Sequence, residues 1–217
     1  MRVALFGGTF DPPHRGHLAV ARAAARNFGL DRILFAPTAR QPLKSEGAIA
    51  SFSDRLAMVE LLCAAGNGSS DEFRFQASDI DGPRDDGRPN FTVDTLRRLR
   101  LAFSAQHAGT KLDPLFTIVG ADSFLDLRRW RAVDEVLSTS QWIVVSRPGF
   151  SLDDLDPLRL TPQQLEHVHL LEGVHEPVSS TEVRERLATG QDCSNLLTPE
   201  VLGYIRRHEL YGFHGAE

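Results

Sequence analysis

Hydrophobic positions along this chain follow two alternating patterns: short unbroken runs, and longer stretches in which apolar residues recur every three or four places. VALF at 3–6 reads as a buried strand, and residues 16–28 follow as a helix with Leu18, Ala21, Ala25 and Phe28 on one face. RILFAP at 32–37 is a second strand, closed by Pro37. Residues 53–65 form a helix with Leu56, Val59, Leu62 and Cys63 inward, and FRFQAS at 73–78 alternates as a strand. Helical spacing returns over 91–106 through Val93, Leu96, Leu99 and Phe103. LFTIVG at 115–120 is the most strand-like stretch; a helical region then runs to about residue 138, and QWIVVSRPG is a strand stopped by Pro148-Gly149.

Strands alternating with helices predict an α/β fold, a doubly wound and mainly parallel sheet covered on both faces. Beyond residue 150 the pattern loosens around Pro157 and Pro162, and HVHLLE at 167–172 is one last strand. VSSTEVRERLATG has helix signals at both ends: Ser179 and Glu182 are spaced as a capping box, and Gly190 sits where a C-terminal cap belongs. Thr198-Pro199 opens a final helix with Val201, Leu202 and Ile205 inward. The expected organisation is a sheet domain over 1–178 and a small C-terminal helical part over 179–217. Segments 39–51 and 81–90, rich in turn formers and charge, are expected to be flexible.

Composition narrows the function. The 217 residues are 41% hydrophobic and 24% charged, with 29 acidic against 24 basic side chains. That balance lacks the broad positive field of a nonspecific nucleic-acid binder, so any site for a polyanion is local. No apolar run approaches membrane-spanning length, and the first strand is far too short for a signal-peptide core, so the expectation is a cytoplasmic protein without membrane or nucleic-acid partners. Cys63 and Cys193, without Cys-x-x-Cys spacing, read as two free thiols. A homo-oligomer is left open.

The candidate chemistry begins at GGTFDPPHRGH, residues 7–17. Gly7-Gly8 after a strand lets backbone approach a ligand, and the following helix aims free N–H groups and its positive dipole end at the same spot. His14 and His17, three apart, share one side of the first turn and can both reach an anion held there. They lack the companion acidic or Cys ligands of a zinc set, and no protein metal site is expected. Gly-x-Gly-x-x-Gly after the first strand, the P-loop pattern and Gly-x-Ser-x-Gly are all missing. A second anion-binding candidate is Ser179-Ser180-Thr181 with Arg184 one turn on; the alternative is simply a capped surface helix.

His14-Arg15-Gly16-His17, the preceding Gly7-Gly8-Thr9-Phe10-Asp11-Pro12 and the distant Ser179-Ser180-Thr181-Glu182-Val183-Arg184 together resemble the His-x-Gly-His nucleotidyltransferase superfamily, which has a Rossmann-like fold. Gly120-Ala121-Asp122-Ser123, Trp130 and Ser146-Arg147-Pro148-Gly149 are similar to motifs of the bacterial nicotinate-nucleotide adenylyltransferases, and the likeness runs from about residue 2 to residue 211. The resemblance implies an enzyme that joins nicotinate mononucleotide to ATP, giving deamido-NAD and pyrophosphate for NAD biosynthesis. It implies no protein nucleophile, in accord with the absence of a nucleophile–base pair.

It also implies roles. His14, His17 and Arg184 would be catalytic; Gly7, Gly8, Thr9, Phe10, Gly120, Asp122, Ser180 and Thr181 would bind ATP, which brings Mg2+ with it. Lys44, Phe91, Thr92, Trp130 and Arg147 would bind the mononucleotide, with Trp130 stacking on the pyridine. One departure is Gln41-Pro42-Leu43-Lys44, where the family usually has Pro-Pro-His-Lys. The alternatives are a sister enzyme acting on nicotinamide mononucleotide or phosphopantetheine, or a nucleotide-binding sensor without turnover.

Overall fold

Val3 and Leu5 point to one face of the first strand while Ala4 and Phe6 point to the other, and each pair joins a different hydrophobic cluster. This two-residue alternation, repeated along neighbouring strands, builds a sheet with a core on each side. The computed structural model describes residues 1–40, 47–69, 71–106, 113–146, 151–174 and 178–213. Its strands are β1 Val3–Gly8, β2 Arg32–Pro37, β3 Arg74–Ala77, β4 Leu115–Gly120, β5 Gln141–Val145 and β6 Val168–Leu171. They lie in the order β3-β2-β1-β4-β5-β6, and every described pairing is parallel. The order reverses between β1 and β4, and in open α/β sheets ligands bind beyond the strand ends at that point.

The helices are α1 Arg15–Phe28, α2 Phe52–Gly66, α3 Thr92–Gln106, α4 Ala121–Leu125, α5 Val133–Thr139, α6 Pro162–Leu165, α7 Ser180–Ala188 and α8 Pro199–Arg207. Leu96 and Leu99 of α3, Phe124 of α4 and Val136 and Leu137 of α5 cover the Val3 and Leu5 face. Ala21 and Ala25 of α1, Met58 and Leu62 of α2, Val183 of α7 and Ile205 of α8 cover the other. The C-terminal helices therefore share the core that lies beneath β1. Pro199 fills the first position of α8, and Thr198 Oγ1 accepts from Val201 N at 3.4 Å.

Four local features differ from the sequence pattern. In α2 the inward position of the first turn belongs to Arg55, 1% exposed, while Leu56 is half-buried. The capping box at α7 is half made: Ser179 Oγ accepts from Glu182 N at 3.1 Å, but the Glu182 carboxylate turns to Arg186 at 2.7 Å. Beyond β4 the expected single helical region is broken into α4, a 3-10 turn at Leu127–Arg129 and α5, with Trp130 extended and Ala132 left-handed at φ 52°. Segment 81–90 is tethered as well: Asn90 Nδ2 donates to Gly82 O at 2.6 Å, and Arg98 Nη2 donates to Asn90 Oδ1 at 2.9 Å. No helix among the described residues is long and apolar enough to cross a membrane.

Candidate active site

At the end of β1 the two glycines play different parts. A Cβ on Gly7 would meet nothing within 4 Å, whereas one on Gly8 would lie 3.1 Å from Phe10 Cζ. Phe10 is 2% exposed, takes a left-handed φ of 50° and packs on Phe6, Phe35 and the His17 ring. Its side chain belongs to the core, so anything it offers a ligand comes from backbone. Asp11 and Pro12 follow across a cis peptide bond.

Six interactions from distant elements hold this loop. The Asp11 carboxylate accepts from Ile49 N at 2.7 Å, Ala50 N at 3.1 Å and Tyr211 Oη at 2.8 Å. Arg55 Nη1 donates to Thr9 O at 2.6 Å. From α7, Ser180 Oγ donates to Pro12 O at 2.9 Å and Arg184 Nη1 donates to Asp11 O at 2.7 Å. The second sequence motif is thereby bonded to the first across more than 160 residues. Arg184 Nη2 also donates to Thr181 Oγ1 at 3.2 Å, and a guanidinium has five N–H groups, so three remain for an anion. The Ser180 hydroxyl proton is committed to Pro12; the Thr181 hydroxyl proton is not committed by its bond to Arg184.

His14 precedes α1, and its backbone N–H donates to His17 Nδ1 at 3.0 Å. The two rings stack at 3.7 Å with 29° between planes. Burial lowers the His14 pKa to about 4, and burial together with the neighbouring His14 holds His17 well below its ordinary value. Both imidazoles are thus neutral at pH 7. A neutral ring that accepts at Nδ1 carries its proton on Nε2, so His17 presents a fixed Nε2–H donor. His14 Nδ1 is buried without a hydrogen-bond partner among the described residues.

On the other side of the β1 and β4 ends lies a cavity of about 530 Å³, lined in part by Gly7, Gly8, Phe91, Thr92, Trp130 and Arg131. Thr92 opens α3, where the first N–H groups have no intrahelical acceptor. Trp130 is half-buried and anchored edge-on to the buried Trp142, with centroids 5.8 Å apart. Asp81 also lines the cavity; its carboxylate accepts from Thr95 Oγ1 at 2.7 Å, and burial raises its pKa. Gly120 caps α4 with open space where a Cβ would stand, and Asp122 is exposed on the first turn of that helix.

The sequence-predicted residues thus fall into two groups flanking the glycine pair. His14, His17, Ser180, Thr181 and Arg184 converge on one side; Phe91, Thr92 and Trp130 line the other. Lys44 and Arg147 lie outside the described residues, as does Leu43. Arg55, Tyr211, Arg40 and Arg131 were not singled out by the sequence reading. Arg55 alone left a usable signal: a charge standing on the apolar stripe of its helix.

A parallel sheet carrying a glycine bend, a histidine pair and a helix bonded to that loop at its switch point defines a nucleotidyltransferase architecture, and residues 5–186 match the Cytidylyltransferase-like family. A "Probable nicotinate-nucleotide adenylyltransferase" of Solibacter usitatus (strain Ellin6076) is 36% identical over 211 residues, covering 97% of this chain and 100% of that protein. One of the same description from Roseiflexus sp. (strain RS-1) is 36% identical over 209 residues, covering 96% and 97%. The chain belongs to the nicotinate-nucleotide adenylyltransferase family. Its fold is shared with the solved Plasmodium falciparum nicotinic acid mononucleotide adenylyltransferase complexed with NaAD, at TM-score 0.70, 18% identity and 98% coverage of both chains.

Proposed function

We infer that the chain transfers the adenylyl group of ATP to nicotinate mononucleotide, forming deamido-NAD and pyrophosphate in NAD biosynthesis. A phosphate oxygen of the mononucleotide attacks the α-phosphorus of ATP; the bond from that phosphorus to the bridging oxygen breaks, and pyrophosphate leaves with the electron pair. The protein supplies no nucleophile. Its work is to hold two anionic groups in line and to stabilise charge moving toward the leaving group.

The observation that carries this reading is the bonding of α7 to the histidine loop through Ser180 and Arg184. It supports a reading in which Arg184, Thr181 and the His17 Nε2–H serve one phosphate site next to the glycine bend. In this reading His17, with His14 stacked on it, steadies the α-phosphate, Arg184 and Thr181 hold the β and γ phosphates, and Ser180 contributes backbone. Gly7, Gly8, Thr9 and Phe10 meet the nucleotide through main chain, with Gly120 and Asp122 on the adenosine side. Phe91, Thr92 and Trp130 take the pyridine, and Lys44 and Arg147 take the mononucleotide phosphate.

Among the described residues no three His, Cys, Asp or Glu side chains could hold a metal ion together, and the nearby Asp11 carboxylate is already bonded by three donors. Magnesium entering with ATP would be held by phosphate oxygens and water. It would supply charge neutralisation there, and the chain's own residues bind the phosphates. The buried free thiols of Cys63 and Cys193 suit the reducing cytoplasm in which we place the enzyme. Purified protein incubated with ATP, magnesium and nicotinate mononucleotide should release pyrophosphate and deamido-NAD in equal amounts, read by chromatography. No deamido-NAD at any substrate concentration would overturn the reading.

A further inference from the structure

We propose that Arg131 is a specificity-determining residue that selects a pyridine carboxylate over a pyridine amide. The proposal rests on the adenylyl-transfer reading above and names the side chain that sets its acceptor. Arg131 lies in the break between the 3-10 turn and α5, directly after Trp130, and lines the same cavity as Trp130, Phe91 and Thr92. Its guanidinium carbon sits 5.0 Å from the centre of the Phe91 ring. An arginine lying over an aromatic face is held in orientation while its N–H edge stays free to donate.

Charge pairing around the cavity separates this arginine from its neighbours. Arg129 is paired with Asp126 at 3.3 Å, and the Asp81 carboxylate is satisfied by Thr95. Among the described residues, Arg131 and Arg40 are the cavity arginines that pair with no carboxylate. Nicotinate mononucleotide brings two anionic groups, a carboxylate and a phosphate. Arg40 follows Thr38, whose N–H is tied to Gly8 O at 2.9 Å, and so belongs to the end where the phosphates meet. Arg131 belongs to the aromatic end, where the ring carboxylate would lie.

Nicotinamide mononucleotide keeps the positive ring and replaces the carboxylate with a neutral amide. Arg131 then faces a cation without a counter-anion, so the same side chain attracts one acceptor and repels the other. Backbone donors at Phe91 and Thr92 can bond either group's oxygen; the charge of Arg131 distinguishes the two.

The test compares wild type with Arg131→Gln and Arg131→Lys, measuring kcat/KM for nicotinate and nicotinamide mononucleotides at saturating ATP. Arg131→Gln should lower the acid-to-amide ratio about tenfold, through a raised KM for the acid and with the KM for ATP unchanged. Arg131→Lys should recover part of the ratio. An unchanged ratio in Arg131→Gln overturns the proposal, as does an equal loss for both acceptors, which is the signature of a packing role. If the wild type forms no deamido-NAD, the adenylyl-transfer reading itself fails; a wild type that forms it, with variants of unchanged ratio, sinks Arg131 alone.

Discussion

Tyr211 Oη donates a 2.8 Å hydrogen bond to Asp11 Oδ1, joining residues 200 positions apart in the chain. Both are buried, and the same carboxylate receives the N–H groups of Ile49 and Ala50. The C-terminal turn, the segment after β2 and the histidine loop therefore meet at one carboxylate. Tyr211→Phe keeps the ring and removes the donor, so the expected cost is about 1–3 kcal/mol of stability. A looser loop should also lower kcat severalfold. Urea denaturation and steady-state turnover check this, and a variant with both quantities at wild-type values would show the bond to be idle.

His17→Ala removes the Nε2–H donor that the His14 N–H fixes in place. Loss of one donor aimed at a transition state costs about 10²–10³ in kcat. If His17 steadies the α-phosphate as proposed, the reduction should fall on kcat more than on the KM for ATP, because such an interaction would strengthen as charge shifts there. Turnover within severalfold of wild type would contradict the assigned role.

Much of this site was legible in the sequence because its parts are local. The glycine bend and the two histidines lie within eleven residues, and the helix signals around Ser180 and Arg184 are short-range capping rules. The alternating runs likewise predicted a parallel sheet, since each strand and helix carries its own period. Arg55 and Tyr211 escaped because their importance comes from partners: a carbonyl at Thr9 for one and the Asp11 carboxylate for the other. Neither pairing has a periodic trace. Arg131 escaped for a different reason: its direction depends on the break at Trp130 and on the left-handed Ala132, where the pattern suggested continuous helix.

The two glycines of the bend should separate binding from folding. Gly8→Ala puts a Cβ 3.1 Å from a Phe10 ring that Phe6, Phe35 and His17 already surround, so the ring has little room to move. Overpacking of this kind costs about 1–3 kcal/mol. Gly7→Ala meets nothing within 4 Å, yet Gly7 lines the cavity. That variant should melt like wild type and show weaker substrate binding. Thermal melts paired with KM measurements decide, and equal destabilisation by the two substitutions would refute the distinction.

The stacked histidines should make the protein acid-sensitive in a defined window. His14 is held at a pKa of about 4 by burial, while the unfolded chain titrates near its ordinary value of 6.5. Above pH 6.5 both states are neutral and the group contributes nothing to pH dependence. As pH falls from 6.5 toward 4, the unfolded chain binds a proton that the folded chain refuses, so stability drops. The full loss from His14 alone is about 3 kcal/mol, at 1.36 kcal/mol per pKa unit, and the depressed His17 acts in the same direction. Carboxylates titrate in the lower part of this range, so the useful quantity is a difference between proteins. Urea midpoints at pH 7 and pH 5 should shift less in His14→Asn than in wild type; parallel shifts would mean that burial does not lower the His14 pKa in the folded chain.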